Sequence, residues 1–254
     1  MKRLIHRSAV ALCLLLLGTA LVAQQQSRTL FAYVGAGIKD PIIDLAEQYE
    51  QQTDVRIQMT FNNMGSLLSQ LQLAKTGDIF IPGGMPFLRK AADAGLILKI
   101  SRPVAYHVPV IIVPMDNPKG ISSVKDLSRP GVKLILPDQK ATALGISIFK
   151  VFDKLGISDA VRKNVLSFVE TPEKVIVTLR LGQGDAGVVD YSALVRENDS
   201  FKIVEIDPSI NEVEAIPCAV LTCSQQQDAA SDFMRFVERE GPAAFAKFGF
   251  KTSP

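Results

Sequence analysis

The feature of this chain that most narrows its fold is an alternation that begins at Thr29, in which short β-rich runs are each followed by apolar residues at helical spacing. Leu30 to Val34 reads as a strand. Ile38, Ile42, Leu45, Ala46 and Tyr49 then recur at the intervals that put one helix face back on that strand. Val55 to Phe61 repeats the strand signal, and a helix from about Ser66 to Lys75 turns Leu67, Leu68, Leu71 and Ala74 inward. Asp78 to Ile81 predicts a short buried strand. Pro86 to Ala94 predicts a helix closed by Gly95, a residue that tolerates the left-handed backbone of a helix end. Strands alternating with helices predict an α/β architecture with largely parallel sheets.

Two segments break the rhythm. Val104 to Pro114 is a long apolar, β-branched run with Pro109 inside it, and proline cannot donate to a central ladder, so an edge or a crossing strand is expected. Beyond it Val132 to Leu136 reads as a strand, Leu144 to Leu155 and Asp159 to Phe168 as helices, and Ala186 to Val189 as a strand. Thr171 is placed to cap a helix with Pro172 at its first position, running to Gly182. Ala215 to Cys223 reads as the second crossing strand. Ser224 then opens a helix that buries Phe233, Phe236 and Val237, and a short helix near Ala243 to Phe248 ends the chain. Two crossings make a hinge. The expected organisation is two lobes, lobe I from residues 27–106 and 218–254 and lobe II from 107–217, each a mostly parallel sheet flanked by helices, with a cleft between them.

The N-terminus predicts the compartment. Lys2, Arg3 and Arg7 precede an apolar run from Ala9 to Leu17 and a small or polar segment from Gly18 to Gln26, the three parts of a secretory signal. We place cleavage after Ala23, which makes residues 1–23 the signal and the mature protein periplasmic. Removing the three basic residues leaves 25 of the 28 Lys and Arg against 26 Asp and Glu. A near-neutral chain argues against nucleic acid as a partner. Cys218 and Cys223 would sit on opposite faces of one strand, too far apart to bridge, and read as separate thiols. After cleavage His107 is the one remaining histidine, on an apolar crossing segment, so no Ser-His-Asp set can be completed without it. It reads as a structural hydrogen-bonder, and the chain as a binding protein with no catalytic residues. A Gly-rich phosphate loop is missing too: Gly35-Ala-Gly lacks the later glycine and the Lys-Ser of nucleotide motifs.

Several blocks carry a resemblance. They are Leu30-Phe-Ala-Tyr-Val-Gly-Ala-Gly-Ile-Lys-Asp-Pro, Ile43-Asp-Leu-Ala-Glu-Gln-Tyr, Phe61-Asn-Asn-Met-Gly-Ser-Leu-Leu-Ser-Gln-Leu, Gly77-Asp-Ile-Phe-Ile-Pro-Gly, Gly184-Asp-Ala-Gly-Val-Val-Asp-Tyr-Ser and Phe245-Ala-Lys-Phe-Gly-Phe. In this order and spacing, across nearly all of the mature chain, they resemble the periplasmic molybdate-binding protein family and its tungstate-binding relatives. The resemblance implies a type II periplasmic-binding-protein fold and capture of a tetrahedral oxyanion in the cleft, with no cofactor. It also implies delivery to the membrane permease and ATPase of an ABC importer, by a monomer that shows both lobes to one permease. Sulfate or phosphate is the alternative ligand, and a non-transport envelope sensor of the same fold the alternative role.

The physical logic of such a site is that backbone N–H groups at helix N-termini meet an anion without a full counter-charge. Gly65-Ser66 opens a helix directly after a strand, so its amides and the Ser66 hydroxyl are expected on one oxygen. The family's serine after the first strand falls on Gly37, or on Ala36 with a one-residue shift; neither has a hydroxyl, but both have a backbone donor. In lobe II the family's amide donor maps to Leu144, with Thr142 and Gly145 beside it. The next contact falls near Pro172, which has no N–H, so Glu173 or Thr171 would supply it. The last position, a tyrosine hydroxyl in the family, falls on Asp190, with Tyr191 one residue later, and strand alternation points only one of the two into the cleft. Asp190 would act as a metal ligand only if the metal centre of the oxyanion were coordinated directly.

Overall fold

The computed structural model describes residues 28–196 and 200–254, so the segment read as a secretory signal lies outside the described residues. Two five-stranded sheets form the two lobes. In lobe I the strands are β1 (Thr29–Gly35), β2 (Arg56–Asn62), β3 (Ile79–Ile81), β4 (Ile97–Ile100) and β12 (Ala219–Leu221), in the spatial order β2-β1-β3-β12-β4. In lobe II they are β6 (Pro109–Pro114), β7 (Leu134–Pro137), β8 (Val165–Val169), β9 (Ala186–Asp190) and β10 (Phe201–Val204), ordered β8-β7-β9-β6-β10. The two orders are the same pattern. β7, β8 and β9 stand where β1, β2 and β3 stand, and β6 takes the place of β12.

Each sheet is mixed rather than mostly parallel. β1 pairs parallel with β2 and β3, and β7 with β8 and β9. β12 and β6, which enter their sheets from the hinge, run antiparallel to both neighbours. The hinge is the antiparallel pair β5 (Ala105–His107) and β11 (Glu214–Ile216). Each expected crossing strand is therefore broken in two, one piece in the hinge and one in a sheet. Pro109 escapes the rule against central prolines by standing first in β6, a strand flanked on both sides. Another difference concerns Asp159 to Phe168, expected as helix, which is a helix only over Ser158–Asn164 and then becomes β8.

Among the described residues, seven α-helices cover the sheets: α1 (Lys39–Thr53), α2 (Met64–Ala74), α3 (Met85–Asp93), α4 (Ala143–Lys154), α5 (Ser158–Asn164), α6 (Pro172–Arg180) and α7 (Gln227–Lys247). The period-2 alternation of strands assigns the two faces. Leu30, Ala32 and Val34 of β1 join one core with Ile42 and Leu45 of α1 and Phe233 of α7, while Tyr33 joins Leu67 and Leu71 of α2 in the other. Lobe II repeats this, with Ile111 and Val113 of β6 on the α4 side and Val110 and Ile112 on the α6 side. Cys218 and Cys223 are both free thiols, and burial pushes both above the ordinary thiol range.

Candidate functional site

Strands β1, β2, β7 and β8 all end at the cleft, and the chain turns there from strand into helix four times. The residues at those four turns, Gly35 to Ile38, Asn62 to Met64, Ala141 to Leu144 and Glu170 to Pro172, surround an inter-lobe cavity of about 50 Å³. Gly83, His107 and Asp190 complete its lining. One water needs roughly 10–15 Å³ of such space, so this one takes a group of a few heavy atoms. Every α-helix leaves its first N–H groups without an intrahelical partner, and the helix dipole adds partial positive charge at the same end.

The turns differ in what they leave free. Before α1 the chain makes a 3₁₀ turn over Ala36–Ile38 with no side-chain cap. A Cβ placed on Gly37 would meet only Pro172, at 3.8 Å, so this wall is loosely filled. At α4, Thr142 is the cap: its Oγ1 accepts from the Gly145 amide at 2.9 Å and its hydroxyl donates to the Asp138 carbonyl at 2.9 Å. The Thr142 hydroxyl proton is thereby spent inside lobe II, and the donors left at the wall are the amides of Ala143 and Leu144. Gly145 lies behind them, and a Cβ there would be 2.5 Å from the Asp138 carbonyl oxygen. At α6, Thr171 makes no side-chain cap bond and Pro172 brings no N–H. The Glu173 side chain is exposed and lines a separate surface depression with Val177 and Thr178.

The α2 terminus is the exception. Ser66 N–H donates to Asn63 Oδ1 at 2.9 Å, while the amides of Met64 and Gly65 donate across the cleft to the Ala141 carbonyl at 2.9 and 3.4 Å. Gly65 and Ser66 therefore stand outside the cavity, around a shallow depression shared with Ser69, Gln70 and Lys140. The approach is close: a Cβ on Gly65 would lie 2.7 Å from the Lys140 carbonyl oxygen.

At the hinge, Asp190 rather than Tyr191 reaches the cavity. Asp190 is 3% exposed, and its carboxylate is turned to protein donors: Oδ2 accepts from Val108 N–H at 2.8 Å and pairs with His107 Nδ1 at 2.9 Å, and Oδ1 accepts from Ser192 N–H at 2.8 Å. Tyr191 donates its amide to the Val108 carbonyl, and its ring lies under Lys251 Nζ, 4.2 Å away. The structure thus brings Ala36, Gly37, Thr142, Leu144 and Asp190 together and leaves Gly65, Ser66, Gly145, Glu173 and Tyr191 off the cavity wall. Asn62, Met64 and His107 are lining residues that sequence reasoning did not select. The signal for the first two was their place beside Gly65-Ser66 after a strand.

Comparison with known proteins bears on what this arrangement does. A family model described as bacterial extracellular solute-binding protein matches residues 30–251. A protein of Haemophilus influenzae, described only as a binding protein, is 26% identical over 89% of this chain and 91% of its own length. The molybdate-binding protein ModA of Mycobacterium tuberculosis is 26% identical over 84% of this chain and 80% of that protein. Among solved structures, the sulfate-binding protein SubI of Mycobacterium tuberculosis superposes with a TM-score of 0.77 at 17% identity, covering 89% of this chain and 87% of that one. This last likeness shows the shared two-lobed fold.

Proposed function

The chain belongs to the bacterial extracellular solute-binding protein family, and within that family we propose that its solute is a fully deprotonated tetrahedral oxyanion of the molybdate and tungstate class. The anion would sit in the inter-lobe cavity and be handed to the permease and ATPase of an ABC importer. The observation that carries this reading is the small cavity ringed by four strand-to-helix turns, with the 3₁₀ turn before α1 and the first turn of α4 on its walls. The backbone donors of such turns suit an anion that offers only acceptors, and the buried Asp190 carboxylate is held by three protein donors. The relation to ModA supports molybdate within the class. Ala36, Gly37 and Leu144 are the backbone contacts we assign, with Thr142 shaping the α4 turn.

A thermal-shift screen of the mature protein against molybdate, tungstate, sulfate, phosphate, vanadate and chromate tests this. A ligand at 100 times its dissociation constant adds about 2.7 kcal/mol to stability, a clear rise in melting temperature. Molybdate and tungstate are expected to give the largest rises. A response to sulfate or phosphate alone would move the ligand within the fold, and no response to any of the six would overturn the oxyanion reading.

A further inference from the structure

We infer that His107 is the charge-bearing contact of this site: Asp190 holds its Nδ1, and its Nε2 takes a proton from solvent as the anion enters and donates it in a hydrogen bond to the bound oxyanion. One proton is then bound with each anion. This rests on the oxyanion reading above.

Of the described residues that line the cavity, none is lysine or arginine, and the two carboxylates are Glu170 and Asp190. His107 is the one lining side chain able to become a cation. Its geometry is fixed on one side and open on the other. Because Asp190 Oδ2 already accepts from Val108 N–H, the Nδ1 contact at 2.9 Å is an N–H donated to a carboxylate. The opposite nitrogen, Nε2, has no protein partner among the described residues, and no buried side-chain nitrogen or oxygen there lacks a partner, so Nε2 reaches the open cavity. It faces Gly83, where a Cβ would stand 3.1 Å away. The absence of a side chain at Gly83 keeps that approach clear.

The charges around the ring leave the proton to His107. Glu214, its cross-strand partner on β11, turns its carboxylate to Ser147 Oγ at 3.2 Å and Lys150 Nζ at 3.6 Å on α4. Glu170, ahead of α6, pairs with Lys174 at 2.8 Å. Lys251 lies over Tyr191, and the Phe250 ring meets the imidazole edge to face at 5.5 Å. With His107 neutral, the His107–Asp190 pair carries a net negative charge and offers the anion a lone pair. Protonation removes both objections at once.

Calorimetric titration of the mature protein with molybdate and with tungstate, in buffers of differing ionisation enthalpy between about pH 6.5 and 8.5, reads the proton directly. The observed enthalpy should vary with the buffer with a slope approaching one proton, and affinity should fall as pH rises, by up to about tenfold per unit. His107→Gln, which keeps a neutral donor, should abolish both the buffer slope and the pH dependence. The buffer series on the unmodified protein needs no variant to fold. Binding with no proton uptake, or a His107→Gln protein with the same slope, would overturn this inference and leave the oxyanion reading standing. No binding of either anion at any pH would overturn both.

Discussion

Helices α2 and α6 hold equivalent places, each following the parallel edge strand of its lobe, yet they meet the cleft in different ways. At α2 the cap Asn63 takes the Ser66 amide, and the next two donors, Met64 and Gly65, reach across to Ala141 in lobe II. At α6 no side chain caps the helix and Pro172 removes one donor outright. The first turn of α2 thus ties the lobes together, while the walls that keep unspent amides are the 3₁₀ turn before α1 and the start of α4. The lesson is that a helix N-terminus at a cleft is a reservoir of donors that the fold can spend on closure instead of on a ligand.

That contrast can be broken first where closure is tightest. A Cβ on Gly84 of lobe I would stand 2.7 Å from the Ala143 Cβ of lobe II. Gly84→Ala should therefore hold the lobes apart and weaken anion binding by about 1–3 kcal/mol, roughly 5- to 150-fold, with little change in the denaturant midpoint of the ligand-free protein. An unaltered dissociation constant by calorimetry would show that closure does not govern binding. Next in size is Thr142→Ala, which strands the Gly145 amide at the α4 cap and should cost about 1 kcal/mol of folding stability in urea titrations. The smallest change should be Ser66→Ala, within about 0.5 kcal/mol in anion affinity, because Ser66 stands outside the cavity. A larger loss would return the α2 terminus to the site.

The alternation from Thr29 onward made the α/β class and the two-lobed plan legible, because helix and strand periods differ and the cores follow them. Residues 165–169 misled for a physical reason. β8 is at the edge of its sheet, and Leu166 and Phe168 are exposed while Val169 is buried, so its apolar residues do not alternate with polar ones. The site was legible as a set of strand-to-helix turns but not as a set of donors. Whether Gly65 points an amide at a ligand depends on Ala141, far along the chain, and no local pattern records that contact. His107 shows the same limit. Alone on an apolar segment it reads as a structural residue, and only the fold brings Asp190 onto its Nδ1 and leaves Nε2 at the cavity.

A crystal structure of the protein with tungstate, its metal located by anomalous scattering, tests the position of the anion. The expected result is a single metal peak inside the cavity, its oxygens within hydrogen-bonding distance, about 2.7–3.2 Å, of the amides of Ala36 or Gly37 and of Leu144. A peak in the outer depression beside Ser66 and Lys140, or none in a protein soaked at saturating tungstate, would contradict it.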